Sequence, residues 1–120
     1  MKYLLVGLGG AVGSMLRLAI SQWMAKWNTS FIPWYTLISN AIGALLIGII
    51  MGYLIKNNTE DSMLKFLLVS GFCGGLTTFS TFSFETIQLY QQNTYYAYVY
   101  VMCTFVFTLA MTRFGMWIWE

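Results

Sequence analysis

Four stretches of this 120-residue chain are each at least about 20 residues long, nearly free of charge and rich in apolar side chains. A bilayer core is about 30 Å thick, and an α-helix needs about 20 apolar residues to cross it. Backbone polar groups find no water there, so such stretches must be helical. The sequence therefore predicts an all-α membrane protein with one transmembrane domain over residues 1–120 and four transmembrane helices, at about 3–25, 33–55, 63–91 and 95–118.

The composition argues against several classes of function. Only 8% of the residues are charged, and the chain contains no His. A net charge of +2, scattered along the chain, gives no basic patch for nucleic acid. Cys73 and Cys103 match neither a disulfide framework nor a zinc-ligand spacing. An enzyme is not expected either, because no candidate nucleophile has a base beside it.

The third apolar stretch contains the run Gly-Gly-Leu-Thr-Thr-Phe-Ser-Thr-Phe at residues 74–82. Glycines at Gly74 and Gly75 predict a break in the helix, which lipid tolerates only inside protein or beside a polar cavity. Such a break exposes carbonyl oxygens, which suit a small hard cation, on one side. On the other side it exposes N–H groups, which suit an anion. A glycine kink that only eases packing is the simpler alternative.

Hydroxyl and phenyl groups follow the two glycines. In a helix over residues 77–86, polar side chains face every direction, so we expect protein or water to surround it. Phe79 and Phe82 share one face, and the positive edges of their rings can attract an anion weakly. The alternatives are that the hydroxyl groups bond back to the preceding turn and that the two rings fill a core.

Three other polar side chains lie within the predicted spans. Asn40 can donate two hydrogen bonds from its amide, to an anion or to a neighbouring helix. Arg17 either reaches the membrane interface or gathers anions in an aqueous vestibule. Glu85 either relays protons or bonds to neighbouring hydroxyls and water.

Small residues and cations indicate how the helices assemble. Glycines recur in the first two spans at Gly7, Gly10, Gly13, Gly43, Gly48 and Gly52, where they allow close backbone packing. Four helices hardly enclose a pore, so we expect an oligomer. More Lys and Arg residues fall on the side of the chain termini, which mildly favours termini in the cytoplasm.

Three motifs together resemble the Fluc (CrcB) family of bacterial fluoride channels. They are Gly10-x-x-Gly13-x-x-x-Arg17, Asn40-x-x-Gly43 and the nine-residue run at 74–82, and the likeness extends over all four helices. The resemblance implies an antiparallel dimer in the bacterial plasma membrane. Such a dimer would have two anion pores and a structural Na⁺ on its axis, and it would export fluoride passively to protect the cytoplasm.

The resemblance also implies roles for individual residues. Phe79 and Phe82 would offer ring edges to fluoride, Asn40 an amide donor, and Thr78, Ser80, Thr81 and Thr108 hydroxyl groups. Arg17 would lie by an entrance vestibule, and Glu85 among the polar residues of the third helix. Main-chain oxygens of Gly74 and Thr77 from both subunits would hold the Na⁺. The uneven cation distribution leaves a heterodimer with an oppositely oriented homologue as an alternative to the homodimer.

Two other functions fit a small four-helix membrane protein. A small multidrug-type proton-coupled antiporter would need a carboxylate deep in a span, and Glu85 is the one such group that the sequence offers. A helper subunit that only packs against a larger membrane protein would need none of the polar residues for ion flux.

Overall fold

The computed structural model describes residues 1–60 and 62–120, and every regular element within these ranges is helical. The elements, in chain order, are α1 (Lys2–Ala25), α2 (Trp34–Lys56), a π-helix (Lys65–Cys73), α3 (Gly74–Leu76), α4 (Phe79–Gln92) and α5 (Thr94–Trp117). The π-helix, α3 and α4 together form the third span.

Four helical spans, of 24, 23, 28 and 24 residues, are long and apolar enough to cross a membrane. The predicted all-α fold with four transmembrane helices and a broken third helix is therefore confirmed. The observed bounds differ from the predicted ones by at most two residues. Pro33, for example, precedes the first turn of α2 as its N-cap residue.

Glycines bring the helix backbones into direct contact in two places. Where α1 meets the first half of the third span, a Cβ atom on Gly13 would overlap the carbonyl oxygen of Phe72 and lie 2.9 Å from the nitrogen of Leu76. Where α2 meets α5, a Cβ atom on Gly115 would lie 2.6 Å from the carbonyl oxygen of Leu45. Gly7 is different, because a Cβ atom there would meet nothing within 4 Å.

The break in the third span lies after the glycine pair and not at it, so its predicted position was wrong. Gly74 is helical, with φ −62° and ψ −35°. Thr77 (φ −83°, ψ 154°) and Thr78 (φ −151°, ψ 123°) are extended instead. The second glycine serves packing, because a Cβ atom on Gly75 would overlap the carbonyl oxygen of Gly10 in α1.

The second half of the third span packs against α2 and α5 through side chains. Tyr100, Phe82 and Leu89 are buried together with Leu37 from α2. This cluster fixes how α4 is rotated about its axis, and therefore which of its polar residues face the neighbouring helices.

Candidate functional site

The amide of Asn40 holds the break in the third span. Its Nδ2 donates a hydrogen bond to the carbonyl oxygen of Thr78 (3.1 Å), and its Oδ1 accepts one from the Thr78 backbone N–H (2.7 Å). Both backbone groups of an extended residue at membrane depth are thus paired by one buried side chain. The sequence predicted the amide as a donor, and the structure shows that one of its N–H groups serves the backbone.

Thr78 also caps α4. Its Oγ1 accepts a hydrogen bond from the Thr81 N–H (3.2 Å), donates one to Thr81 Oγ1 (3.1 Å) and lies 3.3 Å from Ser80 Oγ. Three of the predicted site hydroxyls therefore meet at one helix N-terminus. The first N–H groups of a helix have no partner in the preceding turn and favour negative charge.

On the other side of the break, the chain ends its first half at Thr77. Its N–H and its Oγ1 both donate to the carbonyl oxygen of Cys73, each over 2.9 Å. The carbonyl oxygens after that of Cys73, at residues 74–77, lose the N–H donors that a continuing helix would supply. Within residues 1–60 and 62–120, no three His, Cys, Asp or Glu side chains cluster as metal ligands. Main-chain oxygens and threonine hydroxyls are the kinds of oxygen group at the break that suit a hard cation.

A first cleft, which we call the Arg17 cleft, has a volume of about 390 Å³. It lies between α1, the start of α2 and the N-terminus of α4. Nearly all of its lining residues carry a polar group, with Arg17 as the charged residue and Leu18 as the apolar one. The other lining residues carry hydroxyl groups: Ser14, Ser21, Tyr35, Thr36, Ser39, Thr78 and Thr81. The cleft can attract an anion and offer it hydroxyl donors.

A second cleft, which we call the Phe cleft, has a volume of about 270 Å³ and lies between α2, α4 and α5. It is more apolar than the first. Its lining consists of Asn40, Ala44, Ile47, Thr77, Thr78, Phe79, Phe82, Thr104, Phe105, Thr108 and Thr112. Thr78 lines both clefts, so the two clefts meet at the break, with Thr78 as the wall between them.

Phe79 and Phe82 share the Phe cleft but differ in exposure. Phe82 is 6% exposed, and its ring centroid lies 5.2 Å from that of Tyr100 and 6.2 Å from that of Phe105. Phe79 is 72% exposed, although its centroid is only 5.6 Å from that of Phe82. One ring is thus fixed by its neighbours, whereas the other lies at the surface of the single chain.

Glu85 lies outside the lining of both clefts as the described residues form them. Its side chain is buried, with Oε1 accepting a hydrogen bond from Thr36 Oγ1 (2.9 Å) and Oε2 accepting one from the Tyr100 hydroxyl (2.7 Å). The carboxylate therefore links α2, α4 and α5. Gly74, a predicted Na⁺ ligand, likewise lines neither cleft and is exposed on the single chain.

Five hydroxyl groups in the spans donate to a carbonyl oxygen in the preceding turn, those of Thr77, Ser83, Thr86, Thr108 and Thr112. Ser83 donates to Phe79 (2.9 Å) and Thr108 donates to Thr104 (2.7 Å) in this way. Two buried hydroxyls differ, because Ser39 Oγ and Thr104 Oγ1 have no hydrogen-bond partner among the described residues. Each of the two residues lines one of the clefts.

Sequence reasoning missed several residues of this region: Thr36, Ser39, Tyr100, Thr104 and Thr112. Tyr100 carried a usable signal, because it lies inside the last span and not at an end, where tyrosines of membrane helices concentrate. The others are single Ser or Thr residues, which usually bond to their own helix and so give no signal in a sequence.

Comparison with known proteins gives a consistent assignment. Residues 4–116 match the family described as CrcB-like protein, Camphor Resistance (CrcB). The fluoride-specific ion channel FluC of Azobacteroides pseudotrichonymphae is 39% identical over 115 residues, covering 95% of this chain and 92% of the relative.

Two further relatives carry the same name, fluoride-specific ion channel FluC. That of Flavobacterium psychrophilum is 41% identical over 112 residues, covering 92% of this chain and 90% of the relative. That of Clostridium perfringens is 50% identical over 86 residues, covering 72% and 67%. The chain therefore belongs to the CrcB family and is a multi-pass bacterial membrane protein of a channel family, not an enzyme.

Proposed function

We propose that this protein is a fluoride-selective anion channel. The observation that carries the proposal is the meeting of the hydroxyl-lined Arg17 cleft and the Phe cleft at Thr78, beside the Asn40 amide and the N-terminus of α4. Relatives that cover most of the chain are named fluoride-specific ion channels, which supports the same ion.

The proposed path begins in the Arg17 cleft, where one cation and several hydroxyls replace part of the water around an anion. The anion then passes the α4 N-terminus, where Thr78, Ser80 and Thr81 offer hydroxyls and the helix dipole favours negative charge. It continues along Phe79, Phe82 and Thr108 in the Phe cleft. Each contact is weak, which lets the ion leave as well as enter.

Passive flow through such a path follows the fluoride gradient. In the bacterial plasma membrane it allows fluoride to leave the cytoplasm, which lowers the toxicity of this anion. Glu85 contributes by holding Thr36 and Tyr100 in place between the helices.

The channel that we propose is an antiparallel dimer, formed by two copies or by this chain and an oppositely oriented homologue. Phe79 and Gly74 support a partner at this face, because both are exposed on the single chain although they flank the break. Carbonyl oxygens of Gly74 and Thr77 from both subunits would hold a structural Na⁺ on the dimer axis. The chemistry fits, since oxygen ligands suit a hard cation and the break frees carbonyl groups there.

A flux measurement tests the proposed function. Purified protein in liposomes loaded with potassium fluoride should release fluoride when a potassium ionophore lets K⁺ leave with it, because K⁺ efflux prevents the build-up of an opposing membrane potential. Chloride should leave far more slowly. Absence of fluoride release, or equal release of the two anions, would reject selective conduction.

A small multidrug-type proton-coupled antiporter is the second candidate, and the buried carboxylate of Glu85 is the observation that favours it. This alternative requires uptake of a lipophilic cation driven by a proton gradient, and loss of that uptake in Glu85→Gln. For a channel, we expect fluoride flux to be independent of the proton gradient in both proteins.

A further inference from the structure

The side chain of Ser39 is, with that of Thr104, one of two buried hydroxyl groups in the spans that have no hydrogen-bond partner among the described residues. Ser39 is only 1% exposed, yet its Oγ has no hydrogen-bond partner among the described residues. The carbonyl oxygen one turn earlier, on Tyr35, is the usual acceptor for a serine in a helix, and Ser83 and Thr108 use such an acceptor. A buried hydroxyl without a partner is costly and therefore indicates a ligand.

The position of Ser39 indicates which ligand that is. Ser39 lines the Arg17 cleft, and the next residue, Asn40, lines the Phe cleft and holds the break. Thr36, one turn before Ser39, is already committed to the Glu85 carboxylate. Ser39 thus supplies an uncommitted donor on α2 at the inner end of the cleft that contains Arg17.

We propose that the Ser39 hydroxyl donates a hydrogen bond to a halide in the Arg17 cleft, immediately before the ion reaches the Asn40–Thr78 pair. Arg17 supplies the long-range attraction, and Ser39 supplies a short-range donor that replaces one water molecule as the anion is dehydrated. This inference rests on the proposed function, because it names a further ion-binding residue on the same path.

The first test compares fluoride release from liposomes over a range of fluoride concentrations for wild type, Ser39→Ala and Ser83→Ala. We expect Ser39→Ala to raise the half-saturating fluoride concentration about tenfold, the effect of losing one hydrogen bond to a charged group. Ser83→Ala is the matched control, because that hydroxyl bonds to its own helix and lines neither cleft. Equal half-saturation for Ser39→Ala and wild type would overturn the inference.

The second test is independent of flux and uses the anomalous scattering of bromide in crystals of the full-length protein. We expect a bromide peak within hydrogen-bonding distance of Ser39 Oγ in wild type and no peak there in Ser39→Ala. Absence of the peak in wild type, or an unchanged peak in the variant, would overturn the role of Ser39. Wild-type protein without fluoride release would instead reject the proposed function, while the bromide result would still decide whether Ser39 binds a halide.

Discussion

The two halves of the third span are held in the bundle by different kinds of contact. The half before the break packs on α1 through backbone atoms, with Gly9 and Gly13 as the points of closest approach and Gly75 as a further close contact. The half after the break is held by side chains, through the Asn40 amide, the Phe82 ring and the Glu85 carboxylate. The first half thus requires the absence of side chains, whereas the second requires particular functional groups.

Under the proposed function, this difference separates the contacts that assemble the helices from the side chains that would select the ion. We call the glycine contact between α1 and the first half of the third span the seam. It offers no side chain to a passing ion, but it fixes where the second half begins. Polar and aromatic side chains on the second half line the clefts and are thereby available to an anion. Substitutions in the two halves should consequently fail in different assays.

The largest effect is expected for Gly13→Ala in the seam. The added methyl group would overlap the Phe72 carbonyl oxygen, which we expect to lower the free energy of unfolding by about 3 kcal/mol and to reduce the yield of folded protein. Thermal unfolding in detergent measures this. Gly7→Ala is the control, because that position has open space, and equal losses in the two variants would contradict the proposed role of the seam.

Asn40→Leu should have the largest effect on flux among variants that still assemble. It leaves the Thr78 N–H and carbonyl groups without partners, and the distorted break should reduce fluoride flux about a hundredfold, which corresponds to about 3 kcal/mol. Liposome flux, normalised to the amount of folded protein, measures it. Wild-type flux in this variant would show that the amide is not needed at the break.

Phe82→Ile should reduce fluoride flux about tenfold, because it removes the positive ring edge and roughly keeps the side-chain volume. Phe84→Ile on the same helix is the control, since Phe84 is 65% exposed and lies outside both clefts. Unchanged flux in Phe82→Ile would argue that the ring only fills space against Tyr100 and Phe105.

Tyr100→Phe should have the smallest effect on flux, about twofold, because Tyr100 lines neither cleft and acts through Glu85. Loss of one hydrogen bond to a charged group should instead lower the free energy of unfolding by about 2 kcal/mol. Tyr98→Phe, at a 66% exposed position of the same helix, should change neither quantity. A large flux defect with normal stability would place the Tyr100 hydroxyl on the ion path.

Sequence alone predicted the four spans closely, because lipid imposes strict length and composition on a helix. The break was predicted in the correct span but at the wrong residues. Gly74 and Gly75 satisfy two requirements equally well, left-handed backbone angles and close packing, and only the position of α1 shows that Gly75 serves the second.

The hydrogen bonds of the site were less accessible to sequence reasoning. Asn40 and Thr78 are 38 positions apart, and the bonds join a side chain to backbone groups that any residue carries. Glu85 could be identified as a buried carboxylate, but its partners Thr36 and Tyr100 depend on how α4 is rotated. Which side chains form hydrogen bonds between different helices depends on how the helices pack, and a single sequence does not specify that packing.

Thr78 as the shared wall of both clefts has an electrical consequence. The two clefts follow successive stretches of α2, at residues 35–39 and 40–47, so on the proposed path the Asn40–Thr78 pair lies between them. Water that fills the polar Arg17 cleft would carry the outer potential inward to this pair, and the membrane voltage would then fall over the rest of the proposed path. An ion bound at the pair would therefore sense part of the membrane field, which would make its occupancy voltage-dependent.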